Sequence, residues 1–511
     1  MSADDMLFLG VDLGAGGLKA TLVDAAGRVR GTGSADVSTA TPNPGWSEQD
    51  PALWTRAMID AVPRAIAEAG GRPERIAAIS FSAGAHSSVL VGANGEVLRP
   101  AILWNDQRSG VESRELDESQ GGEILAVGGN RVSPTWTLPQ LAWVARHEPD
   151  LHRRIRRIYV AKDWLRAQLT GDWTTDRTDA VGTLFFDIER DAWSPFLCGL
   201  AGISVDQLPP VVEPSARVGA TAGPVASACG LPDGIAVICG TSDTSVEAFG
   251  GGAGGVGEAT VKLATAATVS VVAARGGRSR TLINYPYVVP GLWYTITGTN
   301  SCASAHKWLR DRFFARPGES GHTAFERMET AAAATKPGSE GLLFHPYLTG
   351  ERAPHWDPLL RADFLGITMR HQPGHFVRSL YEGIAFSLRD CRDLFAGEGL
   401  PIGSARLVGG GTKSLLWRQI VADVLGIEIR VPENNEASYG AALLAAVGSG
   451  AVADFSAVRR GDAGAEAVIR PDPARAALYD DLFGLYRQSQ AAMAGIYHAI
   501  PAILARHEAA R

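Results

Sequence analysis

Residues 8–29 read FLGVDLGAGGLKATLVDAAGRV, an apolar strand that runs into an aspartate, a turn of small residues, a lysine and a second strand. A dinucleotide-binding fingerprint needs a helix after its glycines, and a P-loop needs Gly-Lys-Ser/Thr at a helix start. Here the continuation has a period of two: Lys19, Thr21 and Val23 share one face and Leu18, Ala20 and Leu22 the other. A second turn, DAAGR, follows. The element reads as a β-hairpin whose tip exposes backbone N–H groups beside one carboxylate, Asp12, and one cation, Lys19.

A looser copy appears later. After the strand GIAVICG (234–240) comes Asp243, and GEATVKLATAATVSVVA (257–273) forms a second hairpin turning at Ala264, Thr265, Ala266 and Ala267. The glycine-rich EAFGGGAGGVG lies between them, where composition shifts most sharply, so the boundary is placed at 247: domains 1–247 and 248–511. A chain of 511 residues exceeds what one hydrophobic core usually serves. Strand-like and helix-like segments alternate, which predicts α/β architecture. RIAAISFSA (75–83) reads as a strand, and PALWTRAMIDAVPRAIAEAG before it as a helix that Pro63 should kink or divide. RHEPDLHRRIRR reads as a solvated helical face. In the second half, Phe376, Leu380, Ile384, Leu388 and Cys391 recur at helical spacing. ARLVGGGTKSLLWRQIVADVLG is a strand, three glycines (409–411) and a helix opening near 412–414, an arrangement that can receive a nucleotide. SYGAALLAAVG is a shorter helix.

Composition narrows the function classes. A net charge of −7 gives no sign of a nucleic-acid partner. Five cysteines (198, 229, 239, 302 and 391), odd in number and without CxxC pairing, fit a reducing compartment and neither a disulfide frame nor a zinc site. The acidic N-terminus does not resemble a signal peptide, and no run of ~18 apolar residues suggests a membrane span. The expectation is a cytoplasmic protein with no membrane partner.

Phosphoryl transfer needs a phosphate cradle, a metal-binding carboxylate and a group that positions the attacking oxygen. Small residues at the hairpin tips, Gly14 among them, let backbone N–H groups approach phosphate oxygens. Lys19 adds a point charge, Asp12 suits Mg²⁺ held through its waters, and Asp243, just before the boundary at the mouth of the other half, would accept a proton from a substrate hydroxyl.

The order of these pieces resembles the FGGY carbohydrate kinases of the actin and sugar-kinase superfamily. It covers nearly the whole chain: GVDLGAGGLKATLVD, GWSEQDPALW (45–54), RPAILWNDQRS (99–109), AKDWLRAQLTGDWTTDRTDAVGT (161–183), CGTSDTSVEAFG (239–250), PYLTGERAPHWDP (346–358), YEGIAF (381–386) and LVGGGTKSLLWRQIVADVLG (407–426). The spacing is most similar to that of xylulokinases. The resemblance implies two RNase-H-like domains with an interdomain cleft, ATP and Mg²⁺, and a small sugar phosphorylated on a hydroxyl. It implies Asp12, Gly14, Lys19 and Thr265 near Mg-ATP phosphates, Asp12 near the metal, and Asp243 as catalytic base. Gly410, Gly411, Thr412 and Lys413 fall beside adenosine. His86, Trp104, Asp106, Arg108, Asp243 and Thr244 fall on the sugar side, His86 across the cleft from Asp243. A homodimer is compatible with it.

Six residues depart from the family pattern. Ala15 and Gly16 stand where the first phosphate turn usually carries Thr-Ser or Thr-Thr, and Ala264 where the second begins with Gly. Gly84 and Ala85 replace a Gln-Met before His86, and Thr244 replaces an asparagine after the base. Polar contacts to substrate hydroxyls carry specificity. Other ketoses, polyols such as erythritol or glycerol, and sugar acids therefore stay open, as does a degenerate kinase that senses nucleotide or sugar without turnover.

Overall fold

The computed structural model describes residues 5–461 and 467–508. The chain packs into two units, and the first of them is built on a mixed sheet. Its strands are β1 (Leu7–Gly14), β2 (Gly17–Asp24), β3 (Val29–Asp36), β4 (Ile76–Ala83), β5 (Arg217–Ala220) and β6 (Ala236–Ile238), in the order β5-β6-β4-β1-β2-β3. A two-residue strand, β7 (Thr241–Ser242), also pairs with β4. β1 and β2 form the antiparallel hairpin, Asp12 opposite Lys19, while β4 runs parallel to β1 with Ser82 beside Asp12.

The helix α1 (Pro51–Glu68) covers this sheet. Asp50 caps it by accepting from the Ala52 N–H at 2.9 Å. The helix runs on through Pro63, so the expected division does not occur. Ala61, Val62, Ala65 and Ile66 are all buried, and the packing of that face holds the helix despite the missing N–H. Gly33 makes this approach possible, since a β-carbon there would stand 2.0 Å from the Ala61 carbonyl oxygen. The basic stretch from Arg146 is not one helical face either. It ends one helix at His147, forms the short helix Pro149–His152, buries Ile155 and enters the strand Arg157–Val160. The helix α2 (Ala161–Thr170) follows, and α3 (Asp243–Gly250) leaves β7 directly.

The second unit repeats the pattern. β8 (Glu258–Leu263) and β9 (Ala267–Ala273) form its hairpin, joined by a turn at 264–266. The helix α4 (Ala303–Leu309) lies beyond the hairpin in sequence, and α5 (Pro373–Gly397) is the long buried helix, with Leu380, Ile384, Leu388 and Cys391 all fully covered. β10 (Ser404–Val408) runs parallel to β8, as β4 does to β1. The helix α6 (Leu415–Leu425) follows a turn, and β11 (Glu428–Val431) and β12 (Ala467–Ile469) extend the sheet on the side of β10, in the order β9-β8-β10-β11-β12. α7 (Pro473–Glu508) closes the described chain.

The sequence reading divided the chain once, at 247. Packing places Met1–Gly254, Ala273–Thr295 and Asn434–Gly464 in the first unit, and Gly255–Val272, Ile296–Glu433 and Ala465–Arg511 in the second. The reason for one return is visible at Gly10 of β1: a β-carbon there would lie 1.9 Å from the Ser438 carbonyl oxygen. The helix Ala437–Gly448 is seated that closely on the first sheet, and its Gly440 lies equally close to Val246 of α3. Among the described residues no helix is long and apolar enough to cross a membrane.

Candidate active site

The first unit gathers both carboxylates around the end of β4. Ser82 Oγ donates to Asp12 Oδ1 at 2.8 Å, and Ser82 also stands beside Thr241 of β7. Two residues past Thr241, Asp243 opens α3, where a carboxylate is favoured by the helix dipole. Asp12 and Asp243 thus belong to one unit, as the division at 247 has them, on either side of one strand. The parallel register of β4 with both β1 and β7 is what joins them.

Asp243 is half-buried. Its Oδ1 accepts from the Thr244 N–H at 2.6 Å and Thr244 Oγ1 at 3.1 Å. Thr244, expected on the sugar side, therefore orients the carboxylate. Oδ2 lies on the side of Gly84, 3.9 Å from where a β-carbon would stand there, and the same β-carbon would lie 3.1 Å from Trp104 Cδ1. Gly84, Trp104 and Asp243 thus meet at one point, and any larger residue at 84 would fill it. Trp104 is 47% exposed.

Asp106 and Arg108 sit differently. The Arg108 side chain is fully buried, donating from Nε and Nη2 to Asp106 at 2.9 and 2.7 Å and from Nη1 to Glu48 at 2.6 Å. It also lies 3.8 Å from the Trp46 ring centroid. Burial alone would lower its pKa, but the two carboxylates hold it up. Asp106 also accepts from the Ser47 N–H at 2.6 Å. The motifs GWSEQ and WNDQR are thus two sides of one closed ion network that supports the Trp104 loop.

His86 is buried, with a left-handed φ of 72°. Nδ1 lies 3.1 Å from the Thr135 carbonyl oxygen and Nε2 2.8 Å from the Tyr285 hydroxyl. A carbonyl only accepts, so Nδ1 carries the proton and Tyr285 donates to Nε2. Burial pushes the imidazole down to about 4, which keeps it neutral. The ring stacks on Trp136 at 4.3 Å; Tyr285 stacks on Tyr294 at 5.2 Å, and the Tyr294 hydroxyl lies 3.2 Å from Ser242 Oγ. An aromatic ladder within one unit therefore leads from His86 to the residue before Asp243. The sequence reading set His86 and Asp243 across a cleft; both lie in Met1–Gly254 of the first unit, and the return of Ala273–Thr295 brings Tyr285 and Tyr294 to it.

At the hairpin tip, Gly16 is open: a β-carbon there would touch nothing within 4 Å. Gly14 is half-buried and Ala15 exposed, its carbonyl held by Gln49 Nε2 at 2.8 Å. Such a tip leaves room for an anion at its backbone N–H groups, and Asp12, on the strand that leads to it, is a carboxylate of the kind that suits Mg²⁺. Lys19 is ion-paired with Glu436, both partly exposed. Glu436 precedes the helix Ala437–Gly448, so no local signal linked it to Lys19.

In the second unit, Thr265 is exposed at the tip of β8–β9, and its carbonyl accepts from the Cys302 N–H at 3.1 Å and Ser304 Oγ at 2.7 Å. Residues Gly410–Lys413 form a single 3₁₀ turn, and α6 opens after Ser414, which accepts from the Trp417 N–H. A β-carbon at Gly410 would meet nothing, whereas Gly411 is packed against Leu263 and Trp417. The turn therefore presents an open face at Gly410, as a bound purine nucleoside requires. Thr412 Oγ1 is spent on the Gly409 carbonyl at 2.7 Å, and Lys413 completes the turn.

Comparison with known sequences decides the family. The FGGY family of carbohydrate kinases, N-terminal domain, matches residues 7–250, and its C-terminal domain matches residues 261–449. The chain belongs to the FGGY family of carbohydrate kinases. It is 32% identical over 484 residues to the xylulose kinase of Lactococcus lactis subsp. lactis (strain IL1403), covering 94% of this chain and 95% of that one. It is 29% identical over 466 residues to the gluconokinase of Bacillus subtilis (strain 168), covering 88% and 89%. The crystal structure of a xylulose kinase from Brucella ovis superposes with a TM-score of 0.87 at 32% identity, over 97% of this chain and 100% of that one. This FGGY kinase is a sugar phosphotransferase with the family's two-domain α/β fold.

Residues that the sequence reading missed include Ser82, Thr135, Trp136, Tyr285, Tyr294 and Glu436. A larger omission is a buried ion cluster. Lys162 Nζ lies 2.6 Å from Asp163, 2.9 Å from Asp176 and 3.1 Å from Asp179, and Arg166 pairs with Asp163 at 2.6 Å and Asp172 at 2.9 Å. The motif containing them was visible in the sequence, but nothing there gave it a task.

Proposed function

We propose that this kinase transfers the γ-phosphoryl group of ATP to a hydroxyl of a ketopentose of the D-xylulose type. Asp243 is the base. The acceptor oxygen attacks phosphorus, the bond from phosphorus to the bridging oxygen of ADP breaks, and Asp243 takes the hydroxyl proton. A carboxylate is a weak base for an alcohol, so the proton moves late, after bonding to phosphorus has acidified the oxygen. Thr244 holds Oδ1 of Asp243, and Trp104 and Gly84 bound the space beside Oδ2 where the hydroxyl would stand. The open tip at Gly14–Gly17, Lys19 and Thr265 would hold ATP phosphates, and Gly410–Lys413 the adenosine. Lys19 would exchange its Glu436 partner for phosphate. Mg²⁺ near Asp12 would supply charge neutralisation of those phosphates. His86 contributes through Tyr285: its ring nitrogens are already engaged, so a sugar hydroxyl reaching it would share or displace that bond.

The observation that carries this reading is the meeting of Asp243, Gly84 and Trp104 at one point in the first unit. A sugar acid is the second reading, favoured by the similarity to a gluconokinase. Against it, Arg108, the cation of the WNDQR motif, is committed to Asp106 and Glu48 and offers a substrate carboxylate no donor fork. A coupled ADP-release assay across pentuloses, hexuloses, tetritols, glycerol and gluconate decides between them. The expected result is the highest kcat/KM on a pentulose; gluconate as best substrate overturns it, and no turnover on any sugar favours a sensor.

A further inference from the structure

We infer that Thr241 and Asp176, backed by the buried Lys162 cluster, are positioning residues that fix Asp243 for proton transfer; the inference rests on Asp243 being the base. Thr241 Oγ1 donates to Asp176 Oδ2 at 2.8 Å, and both side chains are fully buried. Asp176 is anchored twice more: its Oδ2 accepts from the Thr178 N–H at 2.9 Å, capping the short helix Arg177–Gly182, and its Oδ1 lies 2.9 Å from Lys162 Nζ. Lys162 is itself fixed between Asp163 and Asp179, and Arg166 ties Asp163 to the Cys239 carbonyl at 2.8 Å. Cys239 and Thr241 bracket Gly240, so the cluster grips the chain on both sides of the turn that delivers Asp243.

That turn needs gripping. Gly240 has a φ of 84°, and a β-carbon there would stand 2.0 Å from the Phe81 carbonyl oxygen. β7 is only two residues long, with Thr241 beside Ser82 and Ser242 beside Ala83. Two residues of ladder are weak restraint for a catalytic carboxylate. A buried bond from a hydroxyl to an anchored carboxylate supplies the rest. The arrangement is costly: two cations and four carboxylates are packed together, with burial holding the Asp179 carboxyl well above its usual range. A hydrophobic core would serve stability as well. What an ionic cluster adds is a directional hold on one short segment, and the segment held is the one that carries Asp243.

A displacement of the reacting group by about 1 Å costs on the order of 10²-fold in rate. Thr241→Val keeps the shape and removes the donor. Its kcat should fall tenfold or more, with KM for ATP within twofold of the parent protein. Thr241→Ser should restore kcat to within about threefold. In an Asp243→Asn background, Thr241→Val should cost nothing further, since there is no base left to position. Asp176→Asn should act like Thr241→Val. If Asp176→Asn fails to fold, the Thr241 pair decides alone. A Thr241→Val protein with parental kcat, or a Thr241→Ser protein as slow as Thr241→Val, overturns the inference while leaving Asp243 as base. An active Asp243→Asn protein overturns the base assignment itself.

Discussion

In the β1–β2 hairpin Asp12 stands opposite Lys19; in the β8–β9 hairpin Lys262 stands opposite Thr268. The two elements are otherwise built alike. Each turns at small residues, each is followed in its sheet by a parallel strand, and that strand leads to a site residue region: β4 to Gly84 and His86, β10 to Gly410–Lys413. The tips differ in support. The carbonyl of Ala15 is held by the side chains of Thr39 and Gln49, whereas those of Ala264 and Thr265 are held by backbone N–H groups at the start of α4, joined at Thr265 by the Ser304 hydroxyl. One scaffold has thus been used twice with different charge. The copy with Asp12 near its tip sits with Asp243 and Trp104, the proposed site of the chemistry; the copy with Lys262 near its tip leads to an open glycine turn, the proposed nucleotide site.

If the first unit alone carries the base, Asp243→Asn is the largest single perturbation available. The amide keeps the shape and cannot take the proton, so turnover should fall ~10² to 10⁴-fold. Nucleotide and sugar binding, measured by calorimetry, should stay close to parental. Turnover near the parental rate would dissolve the contrast between the units, since neither would then hold an essential base.

One buried group in each unit shows how burial sets the answer to acid by the charge of the group. Burial pushes His86 down to about 4 in the first unit, and pushes Glu351 up to about 7 in the second, where the Asn300 and Arg352 N–H groups only partly offset it. The signs are opposite. Below about pH 6.5 the unfolded chain protonates its histidine while folded His86 stays neutral, so its contribution is lost as pH falls. Glu351 takes its proton first in the folded state, so its contribution is present at low pH and lost as pH rises through 7. Each group is worth about 1.4 kcal/mol per pH unit within its window. Asp179 and Asp390 shift in the same sense as Glu351, so the parent curve is a sum and the variants isolate the terms. His86→Gln should flatten the loss of stability between pH 6.5 and 4.5 relative to the parent, and Glu351→Gln should steepen it. Urea midpoints at several pH values measure both. Changes of the same sign in the two variants would mean that burial is not what sets these groups. His86→Gln should also raise KM for sugar more than KM for ATP; equal movement of both would leave His86 a packing residue.

The hairpins were legible because period-two alternation and a small tip leave few other folds, and the strand–glycine–helix segment because its punctuation is local. Asp243 was found from its place after a strand. The partners were not legible. Tyr285 meets His86 from 199 positions away, and Glu436 meets Lys19 from just before a helix whose close seat on the first sheet Gly10 and Gly440 admit. Close backbone approach leaves a glycine in the sequence but no address. For the same reason the sequence could nominate Arg108 without showing that Asp106 and Glu48 already consume its donors. The helix that runs on undivided through Pro63 is the reverse case, a local stop signal that packing outweighs.

The smallest expected effects fall on the tips themselves, and they should be opposite in sign. Thr265 is exposed at the second tip, where its hydroxyl is available to a phosphate oxygen; at the first tip Ala15 is exposed and has no hydroxyl to offer. One neutral hydrogen bond is worth roughly 0.5–1.5 kcal/mol, which is about two- to tenfold in an equilibrium constant. Thr265→Ala should therefore raise KM for ATP by a factor in that range, and Ala15→Thr should lower it by a similar or smaller factor. The Ala15 side chain is exposed, and a β-carbon at its neighbour Gly16 would meet nothing within 4 Å, so a β-branched residue has room. Steady-state ATP titrations at saturating sugar read both variants directly. Opposite shifts would mean that both tips serve one nucleotide, the first through backbone donors that a hydroxyl can supplement. If Thr265→Ala weakens ATP while Ala15→Thr leaves it unchanged, the first tip does not contact phosphate. The duplication would then be one of fold alone, with Asp12 and Lys19 needing another role.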